Sequence, residues 1–193
     1  MSSMAIAPHI RNRLLLIRLM VTFALIHACI AAPALWQQSV RATVIAPSLA
    51  LAACLVVLSA IDWLTLRLPD LITLPLLALG LALAAARSPG DLVWHAGSAL
   101  AGAACLYAAA NLHRHWRGRD GLGLGDVKLF AAAGVWVGAN GLPSVLLIAC
   151  LAALAAVLCW QARGRTVGPQ TAIPFGPFIA LGLWVVWLYG PLA

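Results

Sequence analysis

Apolar runs long enough to cross a bilayer follow one another along almost the whole chain. A membrane-spanning helix needs about 20 mostly apolar residues. Seven stretches approach or reach that length, roughly 14–35, 43–61, 71–86, 92–112, 127–139, 143–160 and 173–189. The fifth is short and can cross only by extending into its flanks or by running with little tilt. Of the 193 residues, 64% are hydrophobic and only 9% are charged, against roughly 25% charged in a soluble domain. Such a chain cannot clothe a water-facing surface. The expected fold class is all-α, a polytopic membrane helix bundle of about seven transmembrane helices, or six if the first is a cleaved signal peptide.

Basic residues, an apolar stretch and the small residues near Ala31-Ala32 give the first run some features of a signal peptide. Arg18 and the length of the run favour a retained anchor. Residues 1–42 therefore read as a basic segment with a first membrane helix, and residues 43–193 as one membrane-embedded functional domain.

The basic residues orient the chain. With the N-terminus in the cytoplasm, Arg11, Arg13, Arg18, Arg67, Arg114, Arg117, Arg119, Lys128, Arg163 and Arg165 face inward, and Arg41 and Arg87 outward. That asymmetry is the positive-inside pattern. Topology and anionic membrane lipid explain the net charge of +7. The basic residues form no patch interleaved with aromatics, so no nucleic-acid partner is expected. Trp36, Trp63, Trp94, Trp116 and Trp160 fall near the ends of runs, as in an interfacial belt.

Cys29, Cys54, Cys105, Cys150 and Cys159 lie within apolar runs, form no C-x-x-C pair and read as small buried hydrophobes. No metal-ligand tetrad is visible, and no metal or cofactor is expected. His113 and His115 flank Arg114 in a basic loop, and His27 and His95 are isolated packing residues.

All five carboxylates are Asp. Asp91 precedes the fourth run and reads as a helix cap. Asp120 sits among arginines in a Gly-rich loop. Asp70 is placed to cap the third helix. Asp62 and Asp126 differ, because each stands where an apolar run meets the polar boundary on the cytoplasmic side. Ionisable groups at hydrocarbon edges are costly and mark function. An ordinary N-cap would explain Asp126 alone. Matched in depth with Asp62, it reads as half of a pair. Lys128, two positions on, does not face Asp126 on a helix.

Two carboxylates at about 4 Å in an effective dielectric near 20 repel by roughly 4 kcal/mol, so such a pair holds one proton between them near neutral pH. One can then act as general base on water while the other hydrogen-bonds a scissile carbonyl. The titration belongs to the dyad and to neither Asp singly. Gly121, Gly123 and Gly125 precede Asp126, and without a Cβ they permit close approach of another backbone, such as a substrate strand. No strand precedes the loop, and Asp126 replaces the final Gly of a dinucleotide fingerprint.

Three segments carry a resemblance. They are Ile61-Asp62-Trp63-Leu64-Thr65-Leu66-Arg67-Leu68-Pro69-Asp70-Leu71-Ile72-Thr73-Leu74-Pro75, then Gly121-Leu122-Gly123-Leu124-Gly125-Asp126-Val127-Lys128-Leu129, and Ile173-Pro174-Phe175-Gly176-Pro177-Phe178. In order and spacing, over about residues 45–190, the chain resembles the prepilin peptidases of type IV pilus and type II secretion systems, within the GxGD aspartyl proteases. The resemblance implies that Asp62 and Asp126 are the catalytic pair. It gives Gly123, Gly125, Lys128, Asp70, Pro174 and Gly176 supporting or substrate-binding roles. It also implies cleavage of a short basic leader from prepilins or pseudopilins at the cytoplasmic face of the bacterial inner membrane. Larger members insert a methyltransferase domain with two C-x-x-C pairs after the first helix. Here about seven residues stand in its place, so neither methyl transfer nor zinc is expected. From a different class, a non-enzymatic membrane subunit or an ion or proton transporter could also use an Asp pair. That reading favours midplane carboxylates and inverted repeats, and the sequence has neither.

Overall fold

A computed structural model describes residues 8–37, 42–118, 122–165, 168 and 171–192. Asp120 and Gly121 lie outside the described residues. Among the described residues every regular element is a helix: α1 Pro8–Gln37, α2 Ala42–Thr65, α3 Asp70–Arg87, α4 Pro89–Arg117, α5 Leu124–Ala162 and α6 Gly176–Tyr189. Five of them are long and apolar enough to cross a membrane, and α6, with 14 residues, is a shorter apolar helix. The all-α polytopic bundle expected from the runs is what forms.

The fifth and sixth runs join into one 39-residue element. A straight helix of that length would extend about 58 Å, far beyond the roughly 30 Å of a hydrocarbon core. The element breaks at Gly138, whose φ of 70° and ψ of 175° are not helical and favour a residue without Cβ. Its two ends return to the same end of the bundle. Asp126 lines a cleft with Asp62, and Trp160 stacks edge-on against Trp63, the neighbour of Asp62, at 5.9 Å. The chain therefore reverses direction at Gly138, and α5 supplies two limbs. In α4, His95 Nδ1 donates to Val135 O at 2.6 Å, just before the break. That bond ties α4 to the carbonyl three residues before the break.

Lipid offers no hydrophobic drive between helices, so close packing and interhelical hydrogen bonds hold such bundles together. Four aromatic side chains donate across helices: Trp136 Nε1 to Leu76 O at 3.0 Å, Trp184 Nε1 to His27 O at 2.9 Å, Trp187 Nε1 to Ser48 Oγ at 2.9 Å and Tyr189 Oη to Ile30 O at 2.6 Å. These bonds tie α5 to α3, and α6 to α1 and α2. The first limb of α5 is the centre of the core, with Leu129, Ala132, Ala133 and Val135 almost wholly buried. The cysteines correct the sequence expectation. Cys29, Cys105, Cys150 and Cys159 are exposed on the outside of the bundle and Cys54 is half-buried. In an apolar solvent an outward thiol is as well placed as an inward one.

Candidate active site

The last turn of α2 and the first turn of α5 meet at one end of the bundle. They frame an open cleft of about 790 Å³ lined by Asp62, Thr65, Leu66, Arg67, Leu68, Pro69, Asp70, Gly123, Leu124, Gly125, Asp126 and Lys128, with Ile61 behind. The 61–70 and 123–128 segments, 64 positions apart at their aspartates, thus form one surface. Both carboxylates are buried, Asp62 at 5% exposure and Asp126 at 8%.

Asp62 is held from α6. The N–H of Gly176, the first residue of that helix, donates to Asp62 Oδ2 at 3.0 Å. The carboxylate therefore sits at a helix N-terminus, where unpaired N–H groups and the helix dipole favour negative charge. A Cβ at Gly176 would stand 2.8 Å from Asp62 Oδ2 and 3.1 Å from Cγ, so any larger residue must displace the carboxyl or the helix start. Pro174 is buried just before it and fixes the approach of the chain.

Asp126 is the third residue of α5, and the N-cap is Gly123, not Asp126. Its Oδ2 turns back to within 3.5 Å of the position a Gly123 Cβ would take. This is the N3 half of a capping box, in which an acidic side chain reaches back to the cap residue. Gly123 otherwise faces the open cleft.

Gly125 departs from the expectation that substrate lies against it. A Cβ there would meet Leu68 Cβ at 2.9 Å and Leu68 N at 3.3 Å, so the close approach is made by the chain's own α2–α3 loop. Leu68, at 9% exposure, also reaches within 3.3 Å of the Cβ position of Gly176. It is wedged between the first turn of α5, which carries Asp126, and the start of α6, which holds Asp62. Nothing in the spacing marked it, because a lone Leu in an apolar chain carries no signal. The same loop turns sharply. Leu66 has a φ of 53°, and its N–H closes the last turn of α2 on Asp62 O at 2.8 Å, a left-handed cap usually given to glycine. Thr65 Oγ1 donates to Ile61 O at 2.9 Å.

Two capping expectations are corrected. Asp70 lies inside α3 and Pro69 is the N-cap, with no side-chain cap bond. The Asp70 carboxylate instead pairs with Lys128 Nζ at 2.7 and 2.8 Å, half-exposed, across the cleft mouth. At α4 the cap is Ser88, whose Oγ accepts from the Asp91 N–H at 3.1 Å. Among the described residues no cluster of His, Cys, Asp or Glu could hold a metal.

Two buried carboxylates opening on one cleft at one end of an apolar helix bundle define the class, a polytopic membrane protein with a candidate site at one end of its bundle. The profile of the type IV leader peptidase family matches residues 49–158, and the chain belongs to that family. Curated relatives named prepilin leader peptidase/N-methyltransferase are similar to it. The one from Burkholderia pseudomallei (strain 1026b) is 42% identical over 134 residues, covering 68% of this chain and 42% of the relative. That from Xanthomonas campestris pv. campestris is 38% identical over 148 residues, covering 74% and 50%. That from Escherichia coli K12 is 40% identical over 159 residues, covering 80% and 68%. The chain thus spans about half the length of the first two. No solved structure matches it.

Proposed function

We propose that this chain is an integral-membrane aspartyl endopeptidase that removes the leader from type IV prepilins or pseudopilins, with Asp62 and Asp126 as its dyad. The observation that carries this reading is the convergence of two buried carboxylates, from α2 and α5, on one open cleft. One carboxylate takes a proton from a water as it attacks the scissile carbonyl while the other donates a hydrogen bond to that carbonyl, and the proton taken up then passes to the leaving amine as the C–N bond breaks. Gly176 and the start of α6 favour charge on Asp62. Asp62 thereby suits the base, and Asp126 the proton donor.

The cleft lies at the end of the bundle that carries Arg18, Arg67, Arg114, Lys128, Arg163 and Arg165, while Arg87 lies at the other. By the positive-inside rule that end is cytoplasmic, in the bacterial inner membrane. A substrate whose apolar helix rests in the lipid then presents its leader junction at the depth of the dyad. Only residues 38–41 separate α1 from α2, and the sequence has no C-x-x-C pair. We therefore expect cleavage without methylation of the new N-terminus. The test is co-expression of a prepilin with the wild-type chain, Asp62→Ala and Asp126→Ala, followed by the substrate's mass. Leader loss with wild type alone supports the reading, and equal processing by all three sinks it.

A further inference from the structure

Between Ser48, which Trp187 satisfies, and its last turns, the inward face of α2 is apolar. Leu51, Leu55 and Leu58 are fully buried, and at the end of the same face come Ser59, at 0% exposure, and Asp62. Ser59 Oγ is buried and has no hydrogen-bond partner. That is unusual for a serine within a helix, whose hydroxyl ordinarily back-bonds to the carbonyl four residues earlier. Buried polar side chains are nearly always satisfied, so an orphan calls for an explanation.

The neighbouring turn offers one. Residues three apart on a helix share a face, with Cβ atoms about 5–6 Å apart, and helical side chains lean toward the N-terminus. The carboxyl of Asp62 thus leans over the turn that holds Ser59. Of its two oxygens, Oδ2 accepts from Gly176. A carboxylate has about four acceptor sites and no donor when ionised, and a hydroxyl has one donor. A buried donor without an acceptor stands one turn below a carboxylate with acceptor sites to spare.

We propose that Ser59 is a positioning residue for Asp62, its hydroxyl donating to the Asp62 carboxyl through one bridging water. With Gly176 on one side and Ser59 on the other, the carboxyl is fixed about both χ angles and cannot swing away from the cleft. The proposal rests on the reading of Asp62 as half of the dyad for its catalytic consequence. Its structural content is independent of that reading.

The experiment uses the full chain in lipid nanodiscs. Only five side chains are carboxylates, so the infrared carboxyl bands of Asp62 can be assigned as those lost in Asp62→Asn. The expected result is that Ser59→Ala displaces those bands and Ser59→Thr, which keeps the hydroxyl, does not. Bands unchanged in Ser59→Ala overturn the proposal. Displacement by Thr as large as by Ala assigns the effect to packing and also overturns it. In leader cleavage, Ser59→Ala is expected to lower kcat roughly 10-fold, the worth of one hydrogen bond to a charged group, with KM unchanged. Cleavage that survives in Asp62→Asn would undo the dyad reading and leave the infrared outcome standing.

Discussion

The main-chain N–H of Gly176 closes on Asp62 Oδ2 at 3.0 Å across 114 residues of sequence. The start of the last helix is thereby fastened to the end of the second. Gly176→Ala places a methyl where it would lie 2.8 Å from that oxygen, and either the helix start or the carboxyl must move. A displacement near 1 Å at a reacting group costs on the order of 100-fold. Leader cleavage by Gly176→Ala should fall by about that factor in kcat, while circular dichroism remains that of the wild type.

Leu68 couples the two halves of the site, since it touches the Cβ positions of both Gly125 and Gly176. Gly125→Ala should therefore lower activity by pressing on Leu68. Adding Leu68→Ala should restore part of the loss, although Leu68→Ala alone also impairs the enzyme. Non-additivity of this kind is the signature of residues in contact, and a kinetic double-mutant cycle reads it directly. Strict additivity would show that the contact carries no function.

How far the site was legible depends on which kind of residue carries the information. Asp62 and Asp126 stand out because a carboxylate is conspicuous in a chain with only 9% charged residues. The run lengths likewise gave seven crossings. Among the described residues there are six helices, five of them long and apolar enough to cross, because two runs merge into α5 through the non-helical Gly138. Long-range contacts were not legible. The Leu68 wedge, the Asp70–Lys128 pair and the buried Ser59 hydroxyl depend on which helices meet. Caps were misplaced by one residue at α3 and by three at α4, where Pro69 and Ser88 hold the position expected of Asp70 and Asp91.

Asp70 and Lys128 make a bidentate pair that is about half exposed. An exposed pair of this kind contributes only about 0–1 kcal/mol after screening. Single alanine substitutions should leave thermal stability nearly unchanged. If the pair's role is to hold the cleft mouth, the exchange Asp70→Lys with Lys128→Asp should recover activity that either single charge reversal loses. Activity lost in the exchanged protein as well would assign Lys128 or Asp70 a direct part in substrate binding.

Gly138 reverses the chain between the limbs of α5 with φ at 70°. An L-residue there pays roughly 1–3 kcal/mol of strain, and its Cβ would lie 3.3 Å from Trp94 Nε1. Gly138→Ala should lower the detergent-melting temperature while leaving the KM for substrate intact, because the break lies at the end of the bundle away from the cleft. A matched rise in KM would show that the reversal is linked to the site.

The most direct test of the dyad is single-turnover cleavage of a purified prepilin by purified wild type, Asp62→Asn and Asp126→Asn, with products identified by mass. Each Asn variant keeps the shape of the side chain and removes its charge and its acid–base chemistry. The expected result is one leader cut by the wild type, an unmethylated new N-terminus, and no detectable cut by either variant, both folded. Cleavage by Asp62→Asn or Asp126→Asn at the wild-type rate would contradict the assignment and move the chemistry elsewhere in the cleft.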